Sequence, residues 1–403
     1  MKNVKKVVSF IIACMLFFII PSTFYADTAQ QPAVFGQYAV SIDAKTGDVL
    51  YDKEAHQKAY PASMTKVLTG IVFLEHTKPG EQIAFSKNAL DQEKSNYQIE
   101  FQVGETVDRD TALMILMVLS ANDMAYAISE HVAGSTEAFA KMMNEKAKEL
   151  GAQGSNFITP NGLHDPNHYT TPYDMAMITR GALHHPELMK AMITQRTSVT
   201  TSRQTVSIFN KARFFENPNC IGGKTGFTNE ARNTLVEINQ QNGNEIINVV
   251  MASQKAEIYN DMKNISDYVF PQFAKQNVLD KATWTKDLSF LDKSVPVELE
   301  KNADAVVKQG EGKNVQALVQ PLHFENKKLY QEGIHKGEVL GEVDLMKNGN
   351  KIDSVKLLSK EDVSFAEPKP KKVSTLPMVL AVTALMLISV IGVLIKKRKS
   401  RVK

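Results

Sequence analysis

The chain has 403 residues, 43% of them apolar, and a formal net charge of +3 at pH 7. Because folded domains usually hold about 100 to 200 residues, this length is sufficient for two of them. The small positive charge lies largely at the two ends of the chain, which excludes the broad basic surface of a nucleic-acid-binding protein, and we expect no nucleic-acid partner.

The first 26 residues have the pattern of a secretory signal peptide. Three lysines among the first six residues precede an uncharged run from Val7 to Ile20, and we expect cleavage after Ala26. Cys14 lies in the middle of the apolar run, which argues against a lipoprotein signal, and it leaves with the signal peptide. Cys220 is then the only cysteine of an exported chain, which excludes an internal disulfide.

The segments that follow predict a mixed domain of strands and helices. Residues 37–55 alternate in polarity around a turn and predict a β-hairpin. The pattern becomes helical from Pro61 to His76, and residues 109–134 predict two helices that are interrupted at Ser120 to Asp123. A polar loop follows and becomes a helix near Asp174.

This first domain is predicted to extend over residues 30–275. Its last part, residues 233–253, predicts two strands around an Asn-Gly turn, followed by a helix that ends near Gln272. Short alternating runs divided by Gly, Asn and Asp then predict a small β domain over residues 276–366. This β domain offers no cluster of nucleophile, base or metal ligands, so we expect its role to be structural.

The C-terminal residues have the pattern of a membrane anchor. Residues 367–375 form an extended linker, and residues 376–395 are twenty uncharged residues, enough for a helix to cross a bilayer core of about 30 Å. The basic tail, residues 396–403, then stays on the cytoplasmic side, so we predict a single-pass cell-membrane protein whose folded domains lie outside the cytoplasm. A buried core helix is the alternative interpretation of residues 376–395.

Three short motifs combine side chains that suit nucleophilic catalysis. A serine hydroxyl becomes a nucleophile only beside a base, and a lysine three positions later lies on the same helical face. Each motif falls at a predicted junction between elements, where side chains from distant segments can converge. In chain order the motifs are Ser63-x-x-Lys66, Ser120-Ala121-Asn122 and Lys224-Thr225-Gly226.

A second copy of each motif shows that none is specific alone. Ser400-x-x-Lys403 lies in the basic tail, and Lys45-Thr46-Gly47 lies in a hairpin turn before the predicted nucleophile. Ser86-Lys87-Asn88 follows Ser63 too closely to leave room for an intervening subdomain. The order and the context of the motifs therefore select among the copies.

With this set of motifs the sequence resembles the penicillin-recognising serine D,D-carboxypeptidases, which trim peptidoglycan. The resemblance includes "DAKTGDVLYDK" before "PASMTK", "NGLHDPNHYTTPYDMA" and "GGKTGFT", and it covers nearly all of residues 35–365. It implies an α/β (α+β) fold, with a β-lactamase/transpeptidase-like domain, an antiparallel sheet flanked by helices, followed by a small all-β domain. It also implies a serine-type D-alanyl-D-alanine carboxypeptidase without a cofactor, which acts on peptidoglycan stem peptides ending in D-Ala-D-Ala and is acylated by β-lactam antibiotics.

The predicted nucleophile is Ser63, which lies at the positive end of a helix dipole, and the predicted base is Lys66. To accept a proton Lys66 must be neutral, which burial and a nearby second cation, Lys224, both favour. By the resemblance, the oxyanion hole consists of the backbone N–H groups of Ser63 and Phe227.

The resemblance also implies roles for the other two motifs. Ser120 passes a proton to the departing D-alanine, and Asn122 holds the substrate backbone. Lys224 with Thr225 engages the terminal carboxylate, and Gly226 lets the substrate lie against the strand.

Two other groups of residues invite different chemistry. His164 and His168 are separated by a proline and lack an H-E-x-x-H motif, so we expect no metal site. Cys220 has no histidine near it in sequence and is predicted to be a packed strand thiol.

Two other functions share parts of the pattern. A β-lactamase has the same acylation chemistry, but the E-x-x-L-N segment of one major class is missing between Asn122 and Lys224. A catalytically silent peptidoglycan-binding scaffold would be expected to have lost the nucleophile or the lysine. The sequence also departs from the family after "KTGFT", where Arg232 either contacts a carboxylate or faces solvent.

Overall fold

The computed structural model describes residues 31–95, 97–367 and 383–393. The strands within these ranges are β1 Tyr38–Asp43, β2 Val49–Lys53, β3 Gln82–Ala84, β4 Thr106–Asp108, β5 Arg196–Thr200, β6 Thr205–Phe209, β7 Cys220–Thr228, β8 Arg232–Gln241, β9 Asn244–Ser253, β10 Phe273–Leu279, β11 Lys286–Phe290, β12 Lys293–Leu299, β13 Ala303–Lys308, β14 Gln316–Pro321, β15 Val339–Lys347 and β16 Asn350–Ser359. The helices are α1 Lys66–Glu75, α2 Lys87–Leu90, α3 Arg109–Val118, α4 Asn122–Ala133, α5 Thr136–Glu149, α6 Pro172–Ala182, α7 Pro186–Ile193, α8 Ile258–Val269 and α9 Asn326–Glu332.

A five-stranded antiparallel sheet organises the first part of the chain. Its strand order is β2-β1-β9-β8-β7, so the predicted hairpin of residues 37–55 and the predicted strand pair of residues 233–253 lie side by side. Asn242 and Gly243 connect β8 to β9 with φ values of 53° and 80°, the positive values that a tight two-residue hairpin turn requires.

Helices cover both faces of this sheet. Successive side chains of a strand point to opposite faces. In β8, Val236 and Ile238 pack into the larger core with helices α1, α3 and α4, whereas Leu235 packs on the other face with Ile258 and other residues of α8. The predicted fold of an antiparallel sheet flanked by helices is therefore confirmed.

Helix α1 lies inside the helical layer. Every residue from Lys66 to Phe73 is buried, which is the pattern of a helix surrounded by protein on all sides. Gly70 permits one of these contacts, because a Cβ atom there would lie 2.9 Å from Leu188 Cδ1. The amine of Lys66, at the first position of this helix, is therefore removed from water.

The chain forms two compact units whose boundary is not a single point in the sequence. The first unit contains the described residues up to Asp280 together with Asn302–Leu318 and Val343–Ser354, and the second contains Lys281–Lys301, Val319–Glu342 and the described residues from Val355 onward. The sequence predicted one boundary, between residues 275 and 276. In the structure β13 lies beyond this boundary in sequence but pairs with β10 in an antiparallel ladder, within the first unit.

Within the first unit, the β1–β2 turn is bound by residues far away in the sequence. Lys347 Nζ lies 2.8 Å from a carboxylate oxygen of Asp48 and 2.6 Å from one of Glu311. Arg180 of α6 donates to the carbonyl of Lys45 at 2.6 Å and to Asn350 Oδ1 at 3.1 Å. The second Lys-Thr-Gly copy therefore belongs to a structural turn.

The second unit is built mainly of strands. Strands β11 and β12 form an antiparallel hairpin, and β12 also pairs with β16 through Val297 and Ser359. Its buried side chains include Leu288, Val295 and Leu357. Apart from the short helix α9, this agrees with the predicted β character of the C-terminal domain.

The predicted signal peptide, residues 1–26, lies outside the described residues. Of the predicted anchor at 376–395, the described part is 383–393, which is helical with exposed apolar side chains. The remainder of the anchor, the basic tail and most of the linker also lie outside the described residues. Among the residues that the structure describes, no helix has the length and apolar character needed to cross a membrane.

Candidate active site

Ser63 lies on a 3₁₀ turn, Ala62–Thr65, which leads directly into α1. Neither this turn nor α1 has a side-chain cap, so Ser63 is not the simple N-cap that its position before a helix would suggest. Its Oγ atom lies 2.8 Å from Lys66 Nζ. The serine hydroxyl is thus free to exchange a proton with the amine.

Lys66 is completely buried and lies among three oxygen atoms. Its Nζ atom is 2.8 Å from each of Ser63 Oγ, Asn122 Oδ1 and the Asn161 carbonyl oxygen. A neutral amine has two hydrogens and one lone pair, so it can donate to the two asparagine oxygens while it accepts the Ser63 proton.

The environment of Lys66 favours this neutral form. Burial, followed by the positive charge of Lys224, holds the pKa of Lys66 well below its usual value of 10.5, and the carboxylate of Asp123 opposes the shift. Both main causes disfavour the charged form, as a lysine that acts as a base requires.

The Ser120-Ala121-Asn122 motif forms the junction between α3 and α4. Ser120 has a φ of 56°, a conformation that residues other than glycine rarely adopt and that occurs preferentially at functional sites. Ser95 Oγ donates to the Ser120 carbonyl at 2.7 Å, and Asn122 Nδ2 donates to the Glu93 carbonyl at 2.7 Å. Glu93 and Ser95 therefore fix the first and last residues of the motif by hydrogen bonds.

Strand β7 brings the third motif to the same place. Lys224, which is 2% exposed, donates to Ser120 Oγ at 2.9 Å and to the Thr225 carbonyl at 2.7 Å. Burial lowers the pKa of Lys224 to about 7. The amine of Lys224, predicted as a second cation near Lys66, therefore contacts the hydroxyl of Ser120, the predicted proton carrier.

Gly226 allows β7 to approach the turn of Ser63. A Cβ atom at Gly226 would lie 2.8 Å from the backbone nitrogen of Ser63 and 2.5 Å from Thr234 Oγ1. Thr234 Oγ1 in turn donates to the Pro61 carbonyl at 3.0 Å. The next residue, Phe227, whose backbone N–H is a predicted oxyanion donor, has an exposed side chain.

The predicted residues line one cleft of about 1090 Å³. Its lining includes Ser63, Ser120, Asn122, Lys224, Thr225, Gly226 and Phe227, whereas the fully buried Lys66 is not among the lining residues. Lys255, two residues after the end of β9, also lines this cleft, whereas Arg232 is not among the lining residues. Arg232 instead begins β8 opposite Thr228, with a φ of 60°.

Some residues contribute to the site through their backbone and cannot be recognised from the sequence. Asn161 and Glu93 act through carbonyl oxygens, which carry no signal of residue type. His168, for which the sequence suggests only zinc binding, has its Nε2 atom 3.0 Å from Thr65 Oγ1, in the turn that carries Ser63. The polar loop predicted before Asp174 indicates the contacts of Asn161 and His168, but nothing in the sequence indicates that of Glu93.

Cys220, His164 and His168 are the side chains that could support thiol or metal chemistry. Burial raises the pKa of the Cys220 thiol to about 12, so the reactive thiolate is suppressed. His164 is exposed and packs edge-on against Tyr60, while His168 is buried. In the described part of the chain no group of three or more His, Cys, Asp or Glu side chains could hold a metal ion. Ser86 caps helix α2, since its Oγ atom accepts from Ala89 N at 3.0 Å.

Comparisons with known proteins cover almost the whole chain. A family model described as D-alanyl-D-alanine carboxypeptidase matches residues 25–255, and one described as the C-terminal domain of penicillin-binding protein 5 matches residues 271–364. The D-alanyl-D-alanine carboxypeptidase DacF of Bacillus subtilis (strain 168) is 28% identical over 370 residues, covering 88% of this chain and 94% of the relative.

Two further similarities agree with these. The D-alanyl-D-alanine carboxypeptidase DacC of Escherichia coli (strain K12) is 27% identical over 375 residues, covering 87% of this chain and 90% of the relative. The crystal structures of penicillin binding protein 5 from Haemophilus influenzae match with a TM-score of 0.57 and 26% identity, over 83% of this chain and 99% of that chain.

Proposed function

Because the chain belongs to the D-alanyl-D-alanine carboxypeptidase family, we propose that it removes the terminal D-alanine from peptidoglycan stem peptides through an acyl-enzyme on Ser63. Lys66 takes the Ser63 proton as Oγ attacks the carbonyl between the two D-alanines. The bond to the terminal D-alanine breaks, and water then releases the shortened peptide from the enzyme. A β-lactam carbonyl would occupy the same position, so penicillin is expected to acylate Ser63.

The observation that carries this proposal is the position of the Lys66 amine. It lies 2.8 Å from Ser63 Oγ, is fully buried and has a lowered pKa, which are the properties of a base for a serine nucleophile. The close approach of Gly226 to the Ser63 backbone nitrogen supports an oxyanion hole made by the N–H groups of Ser63 and Phe227.

Binding and departure of the terminal D-alanine are assigned to the other two motifs. Lys224 with Thr225 would bind the terminal carboxylate, and Asn122 would hold the substrate backbone. Ser120 would deliver a proton to the leaving amine, and its 2.9 Å contact with Lys224 Nζ supports this assignment. The reaction as proposed needs no cofactor.

A test of the proposal is labelling with penicillin followed by digestion with trypsin. The adduct is expected on the peptide "AYPASMTK", which contains Ser63, and Ser63→Ala should abolish it. Ser400→Ala, in the second Ser-x-x-Lys copy, is the matched control and should be labelled like the parent. An adduct on another serine would refute the assignment, and rapid release of hydrolysed penicillin would indicate a β-lactamase instead.

The location of the enzyme is part of the proposal. We infer that residues 1–26 direct export, that residues 30–275 carry catalysis and that residues 276–366 form the small β domain. The apolar residues 376–395 would anchor the chain in the cell membrane, with the tail at 396–403 in the cytoplasm. The exposed apolar side chains of the helix at 383–393 support this anchor, and the substrate lies on the same side as the catalytic domain.

A further inference from the structure

A loop of residues 158–168 packs against helix α1 and supplies it with two backbone acceptors. The Pro160 carbonyl accepts from Thr69 Oγ1 at 2.6 Å, and the Asn161 carbonyl accepts from Lys66 Nζ at 2.8 Å. The loop is packed tightly here, because a Cβ atom at Gly162 would lie 1.9 Å from the Ala62 carbonyl oxygen. The position of the loop and that of the Lys66 amine therefore depend on each other.

The side chain of His168 joins this loop to the turn that carries Ser63. Its Nδ1 atom lies 3.1 Å from the backbone nitrogen of Ile158 and 3.2 Å from that of Thr159, while Nε2 lies 3.0 Å from Thr65 Oγ1. Backbone N–H groups can only donate, so Nδ1 must carry the lone pair and Nε2 the proton, which it donates to Thr65.

The ring of His168 is suited to a fixed, neutral role. It is 2% exposed and packs edge-on against Phe157, with 5.5 Å between the ring centres. Burial lowers the pKa of His168 to about 4, against the opposing effect of Asp165. At neutral pH the ring therefore keeps one acceptor and one donor, and both are used.

We propose that His168 is a positioning residue for acylation, which ties the Asn161 loop to the Ser63 turn and so holds Lys66 Nζ within reach of the Ser63 hydroxyl. This inference rests on the proposed function, in which Lys66 is the base. His168 itself touches no reacting atom. A displacement of about 1 Å at a reacting group can lower a rate about 100-fold, so a contact that fixes the amine can control acylation from a distance.

Two variants separate hydrogen bonding from packing. His168→Leu fills a similar volume but removes the hydrogen bonds of both ring nitrogens, whereas His168→Asn keeps an acceptor near the position of Nδ1 for Ile158 and Thr159. His164→Asn, an exposed position on the same loop, is the matched control. Stopped-flow measurement with a fluorescent penicillin on the full chain gives the non-covalent dissociation constant and the acylation rate constant separately.

We expect the acylation rate constant to fall at least about 30-fold in His168→Leu and about 3- to 10-fold in His168→Asn. The dissociation constant should stay within about threefold of the parent, because neither His168 nor its hydrogen-bond partners line the cleft. His164→Asn should match the parent in both constants. Circular dichroism at the assay temperature checks that each variant is folded.

The inference is overturned by an acylation constant within about threefold of the parent in His168→Leu, by equal losses in the two variants, or by a loss confined to the dissociation constant. If His168→Leu is not recovered folded, His168→Asn decides, and an acylation constant within about twofold of the parent then refutes the role. Lys66→Arg separates this result from the proposed function. Normal acylation by Lys66→Arg would show that Lys66 is not the base, which refutes the proposed function. Loss of acylation in Lys66→Arg, together with normal acylation in the His168 variants, would refute only the role of His168.

Discussion

Converting the terminal carboxylate of the substrate to an amide should slow the parent enzyme, and this effect should largely disappear in Lys224→Gln. The ammonium of Lys224 is 2% exposed and sits beside Ser120 at the cleft, where a carboxylate would be partly desolvated. A charge-assisted hydrogen bond contributes about 1.5 to 3 kcal/mol, and about 1.4 kcal/mol corresponds to a tenfold change in rate. The parent should therefore prefer the acid over the amide by about 10- to 100-fold.

The same preference should depend on pH. Burial lowers the pKa of Lys224 to about 7, so the side chain is charged mainly below that pH and neutral above it. The carboxylate of the substrate remains ionised throughout this range. The kcat/KM for the acid divided by that for the amide should thus be largest near about pH 6 and decline with rising pH. The pH dependence of kcat/KM reflects the pKa values of groups in the free enzyme, here that of Lys224.

The assay measures release of D-alanine from a peptide ending in D-Ala-D-Ala, and of D-alanine amide from its amidated analogue. Lys45→Gln is the matched control, because Lys45 belongs to the second Lys-Thr-Gly copy, in a turn held by Arg180. It should behave like the parent. If Lys224→Gln still distinguished acid from amide as strongly as the parent, the carboxylate contact would have to be reassigned. A ratio that did not change with pH in the parent would refute the lowered pKa as its cause.

Three further predictions follow from the site and its surroundings. Lys66→Arg should lose acylation by labelled penicillin although the charge is kept, because arginine does not deprotonate in the working range; near-normal labelling would exclude Lys66 as the base. Gly226→Ala should slow acylation by about 100-fold, since its Cβ atom would lie 2.8 Å from Ser63 N and displace an oxyanion donor; unchanged kinetics would show that the strand has room. Truncation after Glu367 should give an active protein in the soluble fraction, and its persistence in the membrane fraction would point to a second attachment surface.

The part of the site that could be predicted from the sequence is the part whose chemistry lies in side chains. Ser63, Lys66 and Lys224 are recognisable because their motifs occur in the order and sequence context of a known family, and the structure places them in one cluster. Asn161 and Glu93 could not be predicted, since any residue offers a carbonyl oxygen and only the folded loops determine which ones face the site.

The fold shows a similar limit. The Asn242-Gly243 turn could be predicted because its two positive φ values favour these residue types. In contrast, the alternating pattern of β13 is the same whichever strand it pairs with, so its return to β10 in the first unit could not be read from the sequence. Local patterns determine the type of an element, whereas pairing depends on contacts between distant residues.

The two buried lysines of the site have a consequence for the stability of the protein. For Lys224, a pKa of about 7 in place of 10.5 is unfavourable by several kcal/mol, at about 1.4 kcal/mol per pKa unit. The unfolded chain binds more protons between these two values, so the destabilisation is complete below about pH 7 and is lost as the pH rises toward 10.5. We expect that replacing Lys224 with an unbranched apolar residue would make the protein more resistant to unfolding and would weaken the proposed binding of the terminal carboxylate. Activity and thermodynamic stability would then make opposite demands on this one position.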